Sequence, residues 1–174
     1  MVAMLNRLGR HIRLQSHHAQ GSLVMIETVD DDPDNLQRFL DAQEGVMPLV
    51  MAELSSGRKQ GHWMWFVFPQ VAGLGHSRTA QSFAIPTSLQ AAAYLEHPVL
   101  GQRLRECCHA LLAHRDRRIL DILGSPDHLK LRSCITLFES VARDKAIFSD
   151  LLNAFYAGER DDRTLAYLAN SPES

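Results

Sequence analysis

Hydrophobic residues recur from Pro33 onward at the three- and four-residue spacing that places side chains on one face of a helix. Asp32 can cap the first helix, and Pro33 fits its first position, where no N–H donor is needed. Gly57 can end this stretch. Pro48 should kink or divide the helix, because it lacks a donor and clashes with the preceding turn. The residues that carry the spacing are Leu36, Phe39, Leu40, Gln43, Val46, Met47, Val50 and Leu54.

The same spacing continues along the chain and predicts a succession of shorter helices. Capping serines, prolines and glycines separate them. The segments are 77–83, 88–97, 98–112, 117–123, 125–141, 147–158 and 164–168. We therefore predict a mainly α fold, a single multihelical globular domain over residues 33–170.

One segment follows a different pattern, the sequence KQGHWMWFVFPQ from Lys59 to Gln70. In an extended chain, His62, Met64, Phe66 and Phe68 would point to one side, and Trp63, Trp65 and Val67 to the other. Both faces are bulky, so both should be covered. The pattern predicts one short extended or strand-like aromatic segment, which Pro69 ends.

The two ends of the chain differ from the rest. Residues 1–26 contain three arginines and no acid, a composition that resembles an organelle transit peptide. The simpler interpretation is a flexible extension over residues 1–32 that arises from a misassigned start, with Met25 as the true initiator. Residues 171–174 are predicted to form a disordered tail.

Charge and hydropathy exclude several classes of protein. The formal net charge is −2, and the arginines of the first 26 residues leave the remaining chain more acidic still. An acidic body does not attract phosphate backbones over long range, so we expect no nucleic-acid partner. No window of about 18 uninterrupted apolar residues exists, so we expect no membrane partner and a soluble, cytoplasmic protein.

The cysteines Cys107, Cys108 and Cys134 are odd in number and lack the spacing of a disulfide framework. We expect buried or half-buried thiols in a reducing compartment. No CxxC or HxxxH spacing is present, which predicts that there is no metal site. Phosphate-binding glycine motifs are also absent from the sequence, and we expect no cofactor.

Four blocks of sequence resemble a bacterial family, domain-of-unknown-function family 1810, whose members sometimes carry the label calpastatin. The blocks are residues 62–70 (HWMWFVFPQ), 73–77 (GLGHS), 94–101 (YLEHPVLG) and 130–138 (KLRSCITLF). They occur in family order, and the similarity spans about Pro33 to Leu168. The resemblance implies a mainly α-helical single domain and supplies no activity, cofactor or catalytic residue. Pro48 and Pro86 depart from the family pattern, and a disordered calpain inhibitor does not fit a chain with alternating apolar faces.

Two places in these blocks can bind a ligand. The helix that starts at Ser125-Pro126-Asp127 exposes free backbone N–H groups that suit an anion, and Lys130 adds charge one turn further on. Lys130 and Ser133 lie on one polar stripe of that helix. In the aromatic segment, Trp65 can stack a planar group. The candidate ligand-binding residues are His62, Trp65, Gln70, Asp127, Lys130 and Ser133.

Each candidate also has a structural interpretation. His62 can end a buried segment, the tryptophans can be core residues, and Asp127 can cap its helix or pair with Lys130. If chemistry occurs, His62 or Asp127 would be the base and Lys130 the electrostatic stabiliser. We predict a ligand-binding domain for a small anionic or planar, nucleotide-like molecule, and leave open whether it is an enzyme. The alternative is a protein-interaction module that uses the aromatic segment 62–68 as its anchor.

Overall fold

The computed structural model describes residues 32–170. The described helices all belong to one compact unit, which begins at Leu36. They are α1 (Gln37–Gln43), α2 (Met47–Ser55), α3 (Met64–Val67), α4 (Arg78–Ser82), α5 (Ser88–Glu96), α6 (Leu100–Leu112), α7 (Ile119–Leu123), α8 (Asp127–Val141), α9 (Ala146–Tyr156) and α10 (Asp162–Asn170). The expected extension, apart from Asp32, and the expected tail lie outside the described residues.

The prediction of a mainly α fold is confirmed. Within residues 32–170 the secondary structure is helical, and β pairing there is limited to one parallel bridge between Val71 and Ile85. None of the described helices combines the length and the apolar character needed to cross a bilayer.

The prediction of a strand-like aromatic segment is wrong. Residues Met64–Val67 form the short helix α3, in which Val67 N–H bonds to Trp63 O at 3.2 Å and Phe68 N–H to Met64 O at 3.0 Å. These local bonds satisfy backbone groups that a buried extended segment would have to pair with a neighbouring strand. The helical turn still buries bulky side chains on more than one side, which is why an alternating pattern suggested a strand.

Prolines, glycines and small polar residues set the helix boundaries. Gly45, with φ of +70°, separates α1 from α2, and Pro48 lies in the first turn of α2, so the predicted division occurs just before the proline. Ser77 caps α4 as expected. Thr87, one residue before the predicted Ser88, caps α5 with its hydroxyl oxygen. Ser125 does not cap α8, which has no side-chain cap.

Helix α8 is the centre of the domain and packs against α5, α7, α9 and α10. Its buried residues lie on nearly every side from the second turn onward, as expected for a helix that neighbours surround. They are Leu131, Ser133, Cys134, Ile135, Thr136, Leu137, Phe138 and Glu139. The first turn of α8, by contrast, reaches the surface, with Leu129 54 % exposed.

The three cysteines are buried free thiols, which confirms their expected placement. Burial raises the pKa of the Cys107 thiol to about 12, and it raises the pKa of Cys108 and Cys134 as well. A thiol reacts as its thiolate, so these side chains act as small apolar core residues and not as nucleophiles.

Candidate ligand-binding groove

A groove of about 530 Å³ lies where the aromatic segment meets the first turns of α8 and α10. We call it the Trp65 groove. Its volume falls within the range of roughly 300–1,000 Å³ that is usual for small-molecule sites. The residues that line it are Trp65, Gln70, Leu74, Gly75, His76, Ser77, Ala80, Pro126, Leu129, Lys130, Ser133, Asp161 and Arg163.

Backbone pairing fixes the wall formed by the 70–77 loop. Ile85 N–H donates to Gln70 O at 2.9 Å, and Ala72 N–H donates to Ile85 O at 3.0 Å. Gly75 then approaches α4 so closely that a Cβ on it would lie 2.4 Å from the Cβ of Ala80. The loop can follow this path only because residue 75 has no side chain.

On the opposite wall, α8 presents Lys130 and Ser133, which are three residues apart and therefore lie on the same side of the helix. Ser133 is 5 % exposed, and its hydroxyl donates to Leu129 O at 3.3 Å, so only its acceptor capacity is left for a ligand. Gln70 also lines the groove, and its side-chain amide has no hydrogen-bond partner among the described residues.

The charges behind the groove are organised by Asp127. Its carboxylate accepts a hydrogen bond of 2.7 Å from Lys130 Nζ on one oxygen and one of 2.7 Å from Lys59 Nζ on the other. Burial alone would raise the pKa of Asp127, but the two lysines outweigh that effect and hold its pKa below the usual value. Lys130 therefore has no carboxylate of its own, since it shares Asp127 with Lys59, and the charge of Lys59 also acts on the Glu53 carboxylate.

The two lysines of the cluster differ in what they can reach. Lys59 is buried against the Trp63 ring and also donates to Gly61 O at 2.6 Å, so its role is structural. Lys130 lies at the groove, with Nζ 4.6 Å from the centre of the Trp65 ring. This cation–π contact places an ammonium group beside an aromatic ring in the wall of the groove.

Two more polar groups reach the groove from the start of α10. Asp161 caps that helix, since its carboxylate accepts from Thr164 N–H at 2.8 Å and Thr164 O–H at 2.7 Å. Arg163 is exposed and makes no ion pair with any residue between 32 and 170. The groove therefore has a second cation, on α10 and not on α8, that forms no ion pair among residues 32–170.

The structure brings together most of the residues that the sequence predicted. Trp65, Gln70, Lys130 and Ser133 line the groove, and Asp127 lies directly behind Lys130. His62 is exposed and does not line it. Whether these residues bind a ligand stays a prediction.

Among the polar groove residues, sequence reasoning missed His76, Ser77, Asp161 and Arg163. His76 and Ser77 lie in the GLGHS block that resembles the family, and that block was the available signal for them. Asp161 and Arg163 had none, because their helix is about thirty residues away from Lys130 in sequence and meets the groove only through packing on α8.

The described residues 32–170 contain no group of three or more His, Cys, Asp or Glu side chains that could hold a metal ion. The side chains that line the groove offer cations, a carboxylate, an imidazole, an aromatic ring, an amide and hydroxyls.

Comparison with known proteins adds a family and a fold. The model of the family described as "Protein of unknown function (DUF1810)" matches residues 33–168. No curated protein matches the chain. The crystal structure of the conserved hypothetical protein Rv1873 from Mycobacterium tuberculosis is similar, with 47% sequence identity and a TM-score of 0.78, over 79% of this chain and 99% of that one.

Proposed function

This chain belongs to the DUF1810 family of proteins of unknown function, and we propose that it is a binding domain whose Trp65 groove takes a small anionic molecule with a planar group, such as a nucleotide. The observation that carries the proposal is the Lys130 ammonium held 4.6 Å from the Trp65 ring centre at the groove wall. The ammonium would attract an anion there, and the indole ring would stack on a planar group.

The electrostatics of the groove support an anionic ligand. Lys130 shares its carboxylate partner with Lys59, so Asp127 does not cancel both positive charges. Arg163 adds a cation without a partner among the described residues, and guanidinium groups bind phosphate through two parallel hydrogen bonds. Asp161 contributes a negative charge at the same rim, and its hydrogen bonds to Thr164 occupy one of its oxygens.

The remaining polar groups support recognition of a ring edge. The side-chain amide of Gln70, which has no partner among residues 32–170, can donate and accept at once, and this is the pattern needed to recognise the edge of a heterocycle. Ser133 can accept one further bond. Leu74 and Leu129 supply apolar surface beside these groups, as is usual in small-molecule sites.

The two residues that the sequence suggested as catalytic bases, Asp127 and His62, do not favour an enzyme. Both oxygens of Asp127 accept from lysines, and its pKa is lowered, so it is a weak base. His62 lies outside the groove. We therefore propose binding as the function, in a reducing compartment such as the cytoplasm, where three free thiols persist.

The rival function, a protein-interaction module anchored by residues 62–68, has less support. Trp63 is 1 % exposed, and Phe66 packs against Phe83 with ring centres 5.5 Å apart. A hot-spot residue has to reach its partner, and of the two tryptophans Trp65 alone is partly accessible.

A panel of nucleotides and phosphorylated metabolites, screened by thermal unfolding, tests the proposal. A ligand present at 100 times its dissociation constant should stabilise the protein by ~2.7 kcal/mol. Lys130→Met should weaken binding by about tenfold or more, because it removes a charged hydrogen-bond donor. Lys145→Met makes the same change of charge at an exposed position away from the groove and should leave binding unchanged. A panel without any stabilising compound would overturn the proposal.

A further inference from the structure

A second cavity of about 540 Å³ adjoins the Trp65 groove, and we call it the Tyr167 cavity. One wall is the face of α10 made by residues 163, 166, 167 and 170, which follow helical spacing. The other wall is the turn at Ala72, Gly73 and Leu74. Each cavity has enough volume on its own for a ring-sized chemical group.

The two cavities share two lining residues, Leu74 and Arg163. These side chains therefore stand at the junction, one apolar and one cationic. Since Arg163 has no ion-pair partner among residues 32–170, its guanidinium can serve an anion located between the cavities.

Each cavity also has one large aromatic side chain in its wall. Trp65 lines the first, and Tyr167 lines the second. The Tyr167 hydroxyl donates to Pro86 O at 2.9 Å, and this bond fixes the position of the ring. The shared Arg163 thus belongs to two cavities that each have an aromatic ring in the wall.

We infer that the ligand is a two-part molecule, in which two planar groups are joined by an anionic linker, as in a dinucleotide with a phosphate or diphosphate bridge. The inference rests on the proposed function and extends it. One ring occupies the Trp65 groove, the linker lies at Arg163, and the second ring lies against Tyr167. Aromatic rings accept the flat faces of nucleobases, and the arginine matches the geometry of phosphate.

Calorimetric titration of the full chain with matched probes tests this. The probes are AMP and UMP, and diadenosine diphosphate and diuridine diphosphate, which join two such nucleosides through a diphosphate. We expect a dinucleoside diphosphate to bind about tenfold or more tightly than its mononucleotide, because the second ring binds as part of the same molecule. Tyr167→Leu should abolish this gain and leave the mononucleotide affinity unchanged.

Two controls separate recognition from loss of structure. Tyr167→Phe keeps the ring but loses the bond to Pro86, and it should retain the gain. Arg163→Gln should weaken the dinucleoside diphosphate about tenfold or more, whereas Arg115→Gln, the same change at an exposed arginine outside both cavities, should have no effect.

The outcomes distinguish the two proposals. Equal affinities for mononucleotides and dinucleoside diphosphates would overturn the two-part ligand while the Trp65 groove kept its function. An equal loss of affinity for mononucleotides and dinucleoside diphosphates in Tyr167→Leu would overturn it as well, since Tyr167 would then support the fold and not contact the second ring. No binding of any of the four probes would overturn both proposals.

Discussion

The carboxylate of Glu53 accepts a hydrogen bond of 2.9 Å from the indole N–H of Trp63. The same carboxylate accepts from the backbone N–H groups of Gln60, at 2.8 Å, and Gly61, at 3.0 Å. A single side chain of α2 thus holds the loop before α3 in place and orients Trp63, the largest of the fully buried side chains. Because Lys59 lies in that loop, Glu53 also fixes one side of the lysine cluster behind the groove.

Glu53→Gln should destabilise the fold by about 1–3 kcal/mol, because an amide presents one oxygen where the carboxylate uses two, and its NH₂ group faces backbone donors. Glu53 is 8 % exposed, so water does not replace the lost bonds. Urea unfolding measures the change. Glu44→Gln is the matched control, at an exposed glutamate, and should change stability by less than about 0.5 kcal/mol. Equal stability of the two variants would show that the Glu53 bonds contribute nothing.

Acid should weaken the fold partly through Glu53. Burial would raise the pKa of this carboxyl, but bonds from Gln60, Gly61 and Trp63, with the charge of Lys59, hold it below its ordinary value of 4.5. A carboxyl whose pKa is lowered on folding stabilises the native state above its unfolded value, and this stability is lost as pH falls through the folded value. Unfolding measured from pH 6 downward should therefore show a shallower decline in Glu53→Gln than in the parent protein. Parallel curves would contradict this assignment.

Gly101→Ala should destabilise the protein although the residue lies inside α6. Alanine in a helix interior is normally better than glycine by about 1 kcal/mol. Here an added Cβ would lie 2.0 Å from Leu95 O and 2.8 Å from the Leu95 carbonyl carbon, which are backbone atoms that cannot rotate away. We expect a loss of about 2 kcal/mol or more in urea unfolding. Gln102→Ala, at the exposed neighbouring position, is the control and should change the free energy of unfolding little. If Gly101→Ala instead stabilised the protein, α5 and α6 would be able to move apart to accept the Cβ.

Spacing of apolar residues was sufficient to predict most helices, because the signal for a helix is local. The predicted start of the first helix at Asp32-Pro33 was wrong, because α1 begins at Gln37 without a side-chain cap. Two further failures have physical causes. The aromatic segment is apolar on both sides, so alternation could not distinguish a strand from one turn of buried helix, and the arrangement of its backbone bonds decided the outcome. Ser125 had the right residue type for a cap, but α8 begins without a side-chain cap.

The groove was predictable only where sequence similarity and chemistry coincided. Trp65 and Lys130 lie in blocks whose residue types suggested a ligand, and the fold brings their side chains together. Arg163 lies in a helix with no distinctive composition, and Glu53 looked like an ordinary helical glutamate. Their positions follow from tertiary packing, which the spacing of residues in one sequence does not predict.

The lysine cluster should respond unequally to loss of its members. Asp127→Asn leaves Lys59, whose side chain is 8 % exposed, without its carboxylate, and should cost about 1–3 kcal/mol. Lys130→Met should cost less, about 1 kcal/mol at most, because Lys130 is 21 % exposed and Asp127 keeps its bond to Lys59. Urea unfolding of both variants and of the double variant checks this order. A larger cost for Lys130→Met would show that Lys130 and not Lys59 is the main partner of Asp127.

The two tryptophans should report separately on the core and on the groove. The chain contains two, so Trp63→Phe leaves Trp65 as the sole indole and Trp65→Phe leaves Trp63. Trp63 is 1 % exposed, whereas Trp65 is half-buried in the groove wall. Acrylamide should therefore quench the fluorescence of Trp65 more strongly, and a saturating ligand from the nucleotide panel should reduce that quenching because it covers the ring. Trp63 in the Trp65→Phe variant serves as the internal control, with weak quenching and no response to ligand. If saturating ligand leaves the quenching of Trp65 unchanged, the ligand binds away from this ring, and the proposed stacking on Trp65 is wrong.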